Sequence, residues 1–147
     1  MARITVTRSI SAPVQRVFPA VADIREFRKI QPQIVDVEFL GDQQIGKGTR
    51  FRETRVMGGN RASTDLEVTE YVPDRLVRMV ADSYGTVWDT TFAVSAAGPS
   101  TTELTMTMEA RPHTLKARLM NVLLVPLVRR AVAEDMDRVK VYCERPL

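Results

Sequence analysis

Between residues 34 and 110 the chain is cut by turn residues at near-regular intervals, and this rhythm restricts its fold more than any other feature. IVDVEFL runs into Gly41-Asp42, and GTRFRETRVM into Gly58-Gly59-Asn60. ASTDLEVTEYV precedes Pro73-Asp74, RLVRMVADS precedes Tyr84-Gly85, and TVWDTTFAVS ends at Gly98-Pro99. TELTMTMEA closes the series. Short runs separated by Gly, Pro, Asn and Asp fold as strands joined by turns, so an antiparallel meander of hairpins is expected. ITVTRSI, at residues 4–10, alternates Ile4, Val6 and Ile10 with polar partners and adds a seventh strand.

The segments on either side of the meander read as helices. Ser11 is placed to cap a first short helix, whose opening turn tolerates Pro13 and whose apolar face carries Val14, Val17, Phe18 and Val21. Asp23, with Glu26 three residues on, forms a capping-box-like start for a second, and Pro32 helps to end it. After Arg111-Pro112 the pattern is helical to about Glu144. Val128, Ala131, Val132, Met136, Val139 and Cys143 recur at steps of three and four. Pro126 is expected to kink or interrupt this long helix, because it lacks an N–H and clashes one turn back.

LMNVLLVPLV, residues 119–128, is the most apolar stretch, yet it is bounded by Lys116 and Arg118 before and Arg129 and Arg130 after. A membrane-spanning helix needs roughly 20 apolar residues, so no span is expected. The hydrophobic content of 44% and charged content of 27% over 147 residues are those of one ordinary globular domain. Cys143 is the sole cysteine, and MARITVTRSI lacks the apolar core of an export signal; the cytoplasm is the expected compartment. The net charge of +3 comes from scattered basic residues without interleaved stacking aromatics, so nucleic acid is not an expected partner. His113, the only histidine, reads as an exposed residue at the start of the long helix. No GxSxG elbow, HExxH pair, CxxC or phosphate-binding glycine loop is present, and no catalytic residue, metal or cofactor is assigned.

The order of strand, two short helices, six strands and long C-terminal helix resembles the START-like superfamily, often labelled SRPBCC, which includes pollen-allergen-like proteins and bacterial polyketide cyclase/dehydratase-like families. SISAPVQRVFPAVADIREFRKIQP, GKGTRFR, TEYVPDRLV and PLVRRAVAEDMDRVKVYCE carry the resemblance, which covers nearly the whole chain. Many relatives have a tryptophan near Pro32, where this chain has Ile30-Gln31. The resemblance implies an α+β helix-grip fold, in which a seven-stranded curved antiparallel sheet wraps around the long helix and leaves a cavity between them.

Strand alternation names what would line such a cavity. Trp88, Thr90, Phe92 and Val94 share one face, as do Leu104, Met106 and Met108, and the apolar parity must be the inner one. If Phe51 points inward, so do Thr49, Glu53, Arg55 and Met57, which would set an ion pair against the hollow. Phe27 of the second helix, with Leu119, Leu123 and Leu127 of the long one, would complete the lining. Three functions are consistent with this reading. The first is binding of a small hydrophobic ligand such as a lipid, polyketide or isoprenoid. The second is a polyketide cyclase/dehydratase-like enzyme using Glu53, Arg55, Tyr71, Tyr84 or His113. The third is a protein-interaction module of the co-chaperone type; under any of the three, the chain is expected to be a monomer or homodimer.

Overall fold

The computed structural model describes residues 2–146. Its elements follow in the order β1 (Ala2–Ile10), α1 (Val14–Ala22), α2 (Ile24–Ile30), β2 (Ile34–Phe39), β3 (Arg50–Met57), β4 (Asn60–Val72), β5 (Leu76–Ser83), β6 (Thr86–Gly98), β7 (Thr101–Pro112) and α3 (Leu115–Glu144). The strands form one antiparallel sheet in the order β1-β7-β6-β5-β4-β3-β2. Each consecutive pair from β2 to β7 is a hairpin, and β1 closes the far edge by pairing Ala2–Ile10 with Ala110–Thr102. Register breaks between Ile34 and Asp36, Val68 and Glu70, and Ala96 and Gly98 are the irregularities that let such a sheet bend. This is the helix-grip α+β architecture.

Two tight turns show how sequence sets the bend. Gly58 and Gly59 both have positive φ, +57° and +81°, and join β3 to β4 in two residues. Tyr84 and Gly85 do the same between β5 and β6, at 53° and 82°. At Gly85 a Cβ would also come within 2.6 Å of Thr114 Oγ1, so the start of α3 sits directly against this turn.

The core lies between the sheet and the helices. Ile4 and Ile10 of β1, Val17 and Val21 of α1, Leu104 and Met106 of β7, and Met136 and Val139 of α3 are all buried. Burial of each such side chain is worth roughly 1.5–3 kcal/mol. Asp23 caps α2 as expected, its carboxylate accepting from the Arg25 amide. Glu26 does not complete a capping box; it accepts the Tyr142 hydroxyl at 2.9 Å and so ties α2 to α3. Ser11 is not the cap of α1, whose N-cap is Pro13. The Ser11 amide instead donates to Glu144 at 2.8 Å.

The two halves of α3 are held differently. Its C-terminal half is tied by Arg8 to Asp137 (2.7 Å), by Lys140 to the Ser9 carbonyl (2.5 Å), and by Arg16 on the carbonyls of Cys143 and Tyr142. That last guanidinium meets the negative end of the helix. Burial also pushes the Cys143 thiol up to about 11, which keeps it protonated and inert. The N-terminal half is held by the Thr114 cap, buried Ala117, and a hydrogen bond between Asn121 and Thr86 (3.2 Å). The helix is not interrupted at Pro126, which lies within a continuous run of 30 residues.

Candidate functional site

The curved sheet does not close completely on the helices. A cavity of about 330 Å³ remains, bounded by α1 and α2 on one side, by β3 to β7 across the sheet, and by the middle of α3. Pleating places alternate side chains on its wall. β6 contributes Trp88, Thr90 and Phe92, while Asp89 between them turns to the outer face. β7 contributes Met106 and Met108, and β5 contributes Met79 and Ala81. Phe27 enters from α2 and stands 6.1 Å from the Phe92 ring. Val128, Ala131 and Val132 supply the helix wall.

The lining is mostly apolar, with Thr64, Ser83 and Thr90 among it, and its charged groups are gathered at one place. Glu53 and Arg55 of β3 both face the cavity and pair with each other, and Arg55 Nη1 reaches Asp135 Oδ2 of α3 at 3.0 Å. Asp135 Oδ1 lies 3.3 Å from Arg138. Behind this pair Gln31 is fully buried, donating to the Asp135 carbonyl at 2.9 Å and accepting from Arg138 at 3.4 Å. The chain thus crosses from sheet to helix through Glu53, Arg55, Asp135 and Arg138, with Gln31 locking α2 onto the same point.

Burial and charge pairing oppose each other in this cluster. Burial pushes the Asp135 carboxyl above the ordinary carboxylate range, against the opposing pull of Arg55 and Arg138. Burial would lower the Arg55 guanidinium, but Glu53 and Asp135 outweigh it and hold the charge in place. A permanent cation beside a carboxyl group with a raised pKa can hold a carbonyl, hydroxyl or carboxylate on a ligand. It can also give or take a proton there.

Eight of the residues singled out from the sequence meet in this cavity: Phe27, Glu53, Arg55, Trp88, Thr90, Phe92, Met106 and Met108. Four do not. Phe51 has the inward parity but is packed away in the core, 1% exposed, and does not border the hollow. Leu119, Leu123 and Leu127 are 65%, 70% and 62% exposed, on the outer side of α3, and are not the cavity wall. The helix instead turns Ala117, Asn121, Val125 and Val128 toward the sheet. The short or polar side chains at 117 and 121 permit close approach to the β5–β6 turn, which fixes the rotation and sends the leucines outward.

The remaining polar candidates are scattered. Tyr71 packs edge-on against Phe18 at 5.5 Å and does not line the cavity. His113 is exposed and contacts Asp82 at 2.8 Å. Tyr84, 83% exposed, stands at the cavity mouth with Met57. Asp135 and Gln31 were not among the sequence candidates. Asp135 could have been found, since it falls on the inner stripe of α3, between Val132 and Val139 at helical spacing. Among the described residues no group of three or more His, Cys, Asp or Glu converges as metal ligands would.

A curved sheet gripping a helix over an apolar cavity defines a START-like domain of the hydrophobic-ligand-binding type. The chain belongs to the family described as polyketide cyclase / dehydrase and lipid transport, whose model matches residues 1–144. No curated protein matches it. Among solved structures it is similar to the Zhui aromatase/cyclase of a Streptomyces species, with a TM-score of 0.79 and 19% identity over 98% of this chain and 94% of that one. It is similar also to a START superfamily protein from Mycobacterium smegmatis (TM-score 0.66, 14% identity, 95% and 98% covered). Ara h 8.0201 is a third (TM-score 0.71, 13% identity, 97% of each chain). At these identities the likeness is one of fold.

Proposed function

We propose that the chain binds a compact, mostly apolar molecule carrying one polar group in the cavity between sheet and α3. The observation that carries this reading is a mostly apolar cavity whose charged side chains all sit on one wall. The apolar body would lie against Trp88, Phe92, Met106 and Met108, and the polar group would meet Arg55 and Asp135. Pockets of this type gain affinity from apolar contact and orientation from a few placed polar groups. At about 330 Å³ the space favours a few fused rings or one short chain over a two-chain lipid.

A second reading rests on Asp135 alone. A carboxyl group with a raised pKa on the wall of such a cavity suits proton transfer to or from a carbonyl-bearing substrate, as an aldol-type cyclisation or dehydration requires. Loss of turnover with binding retained in Asp135→Asn would favour the enzyme.

The binding reading is tested by the double variant Glu53→Gln with Arg55→Met, which removes the guanidinium without stranding the Glu53 charge and leaves Asp135 paired with Arg138. Paired ligands such as naphthalene and 2-naphthol should bind the parent with a clear preference for the hydroxyl. The folded double variant should keep its affinity for the hydrocarbon and lose that preference. An unchanged preference would place the pair outside the binding site.

A further inference from the structure

The outer face of the first half of α3 is unused by the fold. Leu115, Leu119, Val122, Leu123 and Leu127 are each more than 60% exposed, and Met120 is 45% exposed. Over three turns of helix they form one apolar strip, far from the scattered single residues that a surface ordinarily shows. From Ala110 to Ala133 the chain carries Arg111, Lys116, Arg118, Arg129 and Arg130 and no acidic residue. Lys116, Arg118, Arg129 and Arg130 are exposed at the two ends of the strip. Among the described residues, the first three make no ion pair, and Arg130 is loosely paired with Glu134 at 3.7 Å.

The charge pattern selects among occupants. If a second copy packed its own α3 antiparallel across this strip, Lys116 and Arg118 of each chain would meet Arg129 and Arg130 of the other. Both ends of the interface would then set cation against cation. An anionic lipid surface matches the pattern: an apolar strip enters the acyl boundary while flanking Lys and Arg reach headgroup phosphates. The strip also has a location. Met120 and Leu124 border a groove shared with Ser83, Tyr84 and Trp88, and these last three border the cavity as well.

We propose that the outer face of α3, from Leu115 to Arg130, is a peripheral docking surface for anionic membranes, and that docking sets the cavity mouth at Tyr84 against the bilayer. This goes beyond ligand binding and does not depend on it, since the strip and its charges would dock whether or not the cavity is filled.

Co-sedimentation with vesicles tests it, using phosphatidylcholine alone and phosphatidylcholine with phosphatidylglycerol, at low and high salt. The full chain should partition onto the anionic vesicles at least tenfold more strongly than onto the neutral ones, and high salt should weaken it. Leu119→Ser with Leu123→Ser should reduce partition more than tenfold. Lys116→Glu with Arg129→Glu should abolish the preference for anionic lipid. All four positions are exposed, so thermal melts of the variants should match the parent. No partition, equal partition onto both vesicles, or an unaffected leucine variant would overturn the proposal. So would a dimer in sedimentation equilibrium that the leucine changes dissolve, because the strip would then be covered by a second copy.

Discussion

Asp135 and Asp89 are both buried aspartates facing arginines, yet they titrate in opposite senses. Asp89, on the outer face of the sheet, is held by Arg78 at 2.8 and 2.6 Å and by Arg111 at 3.0 Å. Hydrogen bonds from Arg78 lead in lowering its pKa below the ordinary 3.8. At Asp135 burial prevails and the pKa rises above 3.8. Linkage turns these directions into opposite pH dependences. The Asp89 contribution is present above pH 3.8 and is lost as pH falls through the lowered folded value. The Asp135 contribution is present below pH 3.8 and is lost as pH rises through the raised folded value. Urea unfolding across pH should therefore show wild type losing its margin over Asp89→Asn in acid. Over Asp135→Asn it should gain margin as the pH is lowered from neutral. Arg55→Met would leave the buried Glu53 without its cation and Asp135 with Arg138 alone. The loss should be about 3 kcal/mol, the lower end for a broken buried pair because the guanidinium keeps some water. A loss under about 1 kcal/mol would show that the cluster is solvated.

At the scale of the elements, α3 is where the sequence pattern runs out. Strand parity was readable because period-two alternation leaves one apolar face, and Trp88, Thr90 and Phe92 lie on the face it indicated. The helix run at residues 119–128 is apolar on nearly every side, so periodicity singles out no inner face. The rotation is set instead by Ala117 and Asn121 against the β5–β6 turn, a tertiary contact with no local signature. Phe51 shows a different limit: parity gives a side chain its face, but not its depth along the strand. Pro126 makes the element testable by itself. It sits inside a continuous helix and deprives the Val122 carbonyl of its partner one turn back. Pro126→Ala should keep the fold and raise stability by about 1 to 3 kcal/mol in thermal or denaturant unfolding. A decrease would mean that the ring itself shapes the packing of α3.

For the whole molecule, the order and pairing of the elements could be read from turn spacing and alternation, whereas the cavity could not. An empty volume depends on which inward side chains fail to meet, and that is fixed by sheet curvature and the seating of α3. The outer face of the sheet carries a chain of ion pairs, Arg3–Glu109–Arg111–Asp89–Arg78–Glu70, crossing five strands. The links at its ends are exposed and each worth little, while the two at its centre converge on the buried Asp89. The hollow is kept open by the core around Leu104, Met136 and Val139 and by the ties of α3 to β1. Trp88 is the only tryptophan and lies on the cavity wall, so its emission reports occupancy directly. The decisive measurement is a titration of that emission with 2-naphthol in the parent, in Ala131→Phe, which fills the helix side of the cavity, and in Leu123→Ser on the outer strip. The parent should show saturable binding of one ligand per chain at micromolar concentration, weakened at least tenfold by Ala131→Phe and unchanged by Leu123→Ser. Equal affinity in the parent and in a folded Ala131→Phe variant would contradict a ligand site between the sheet and α3.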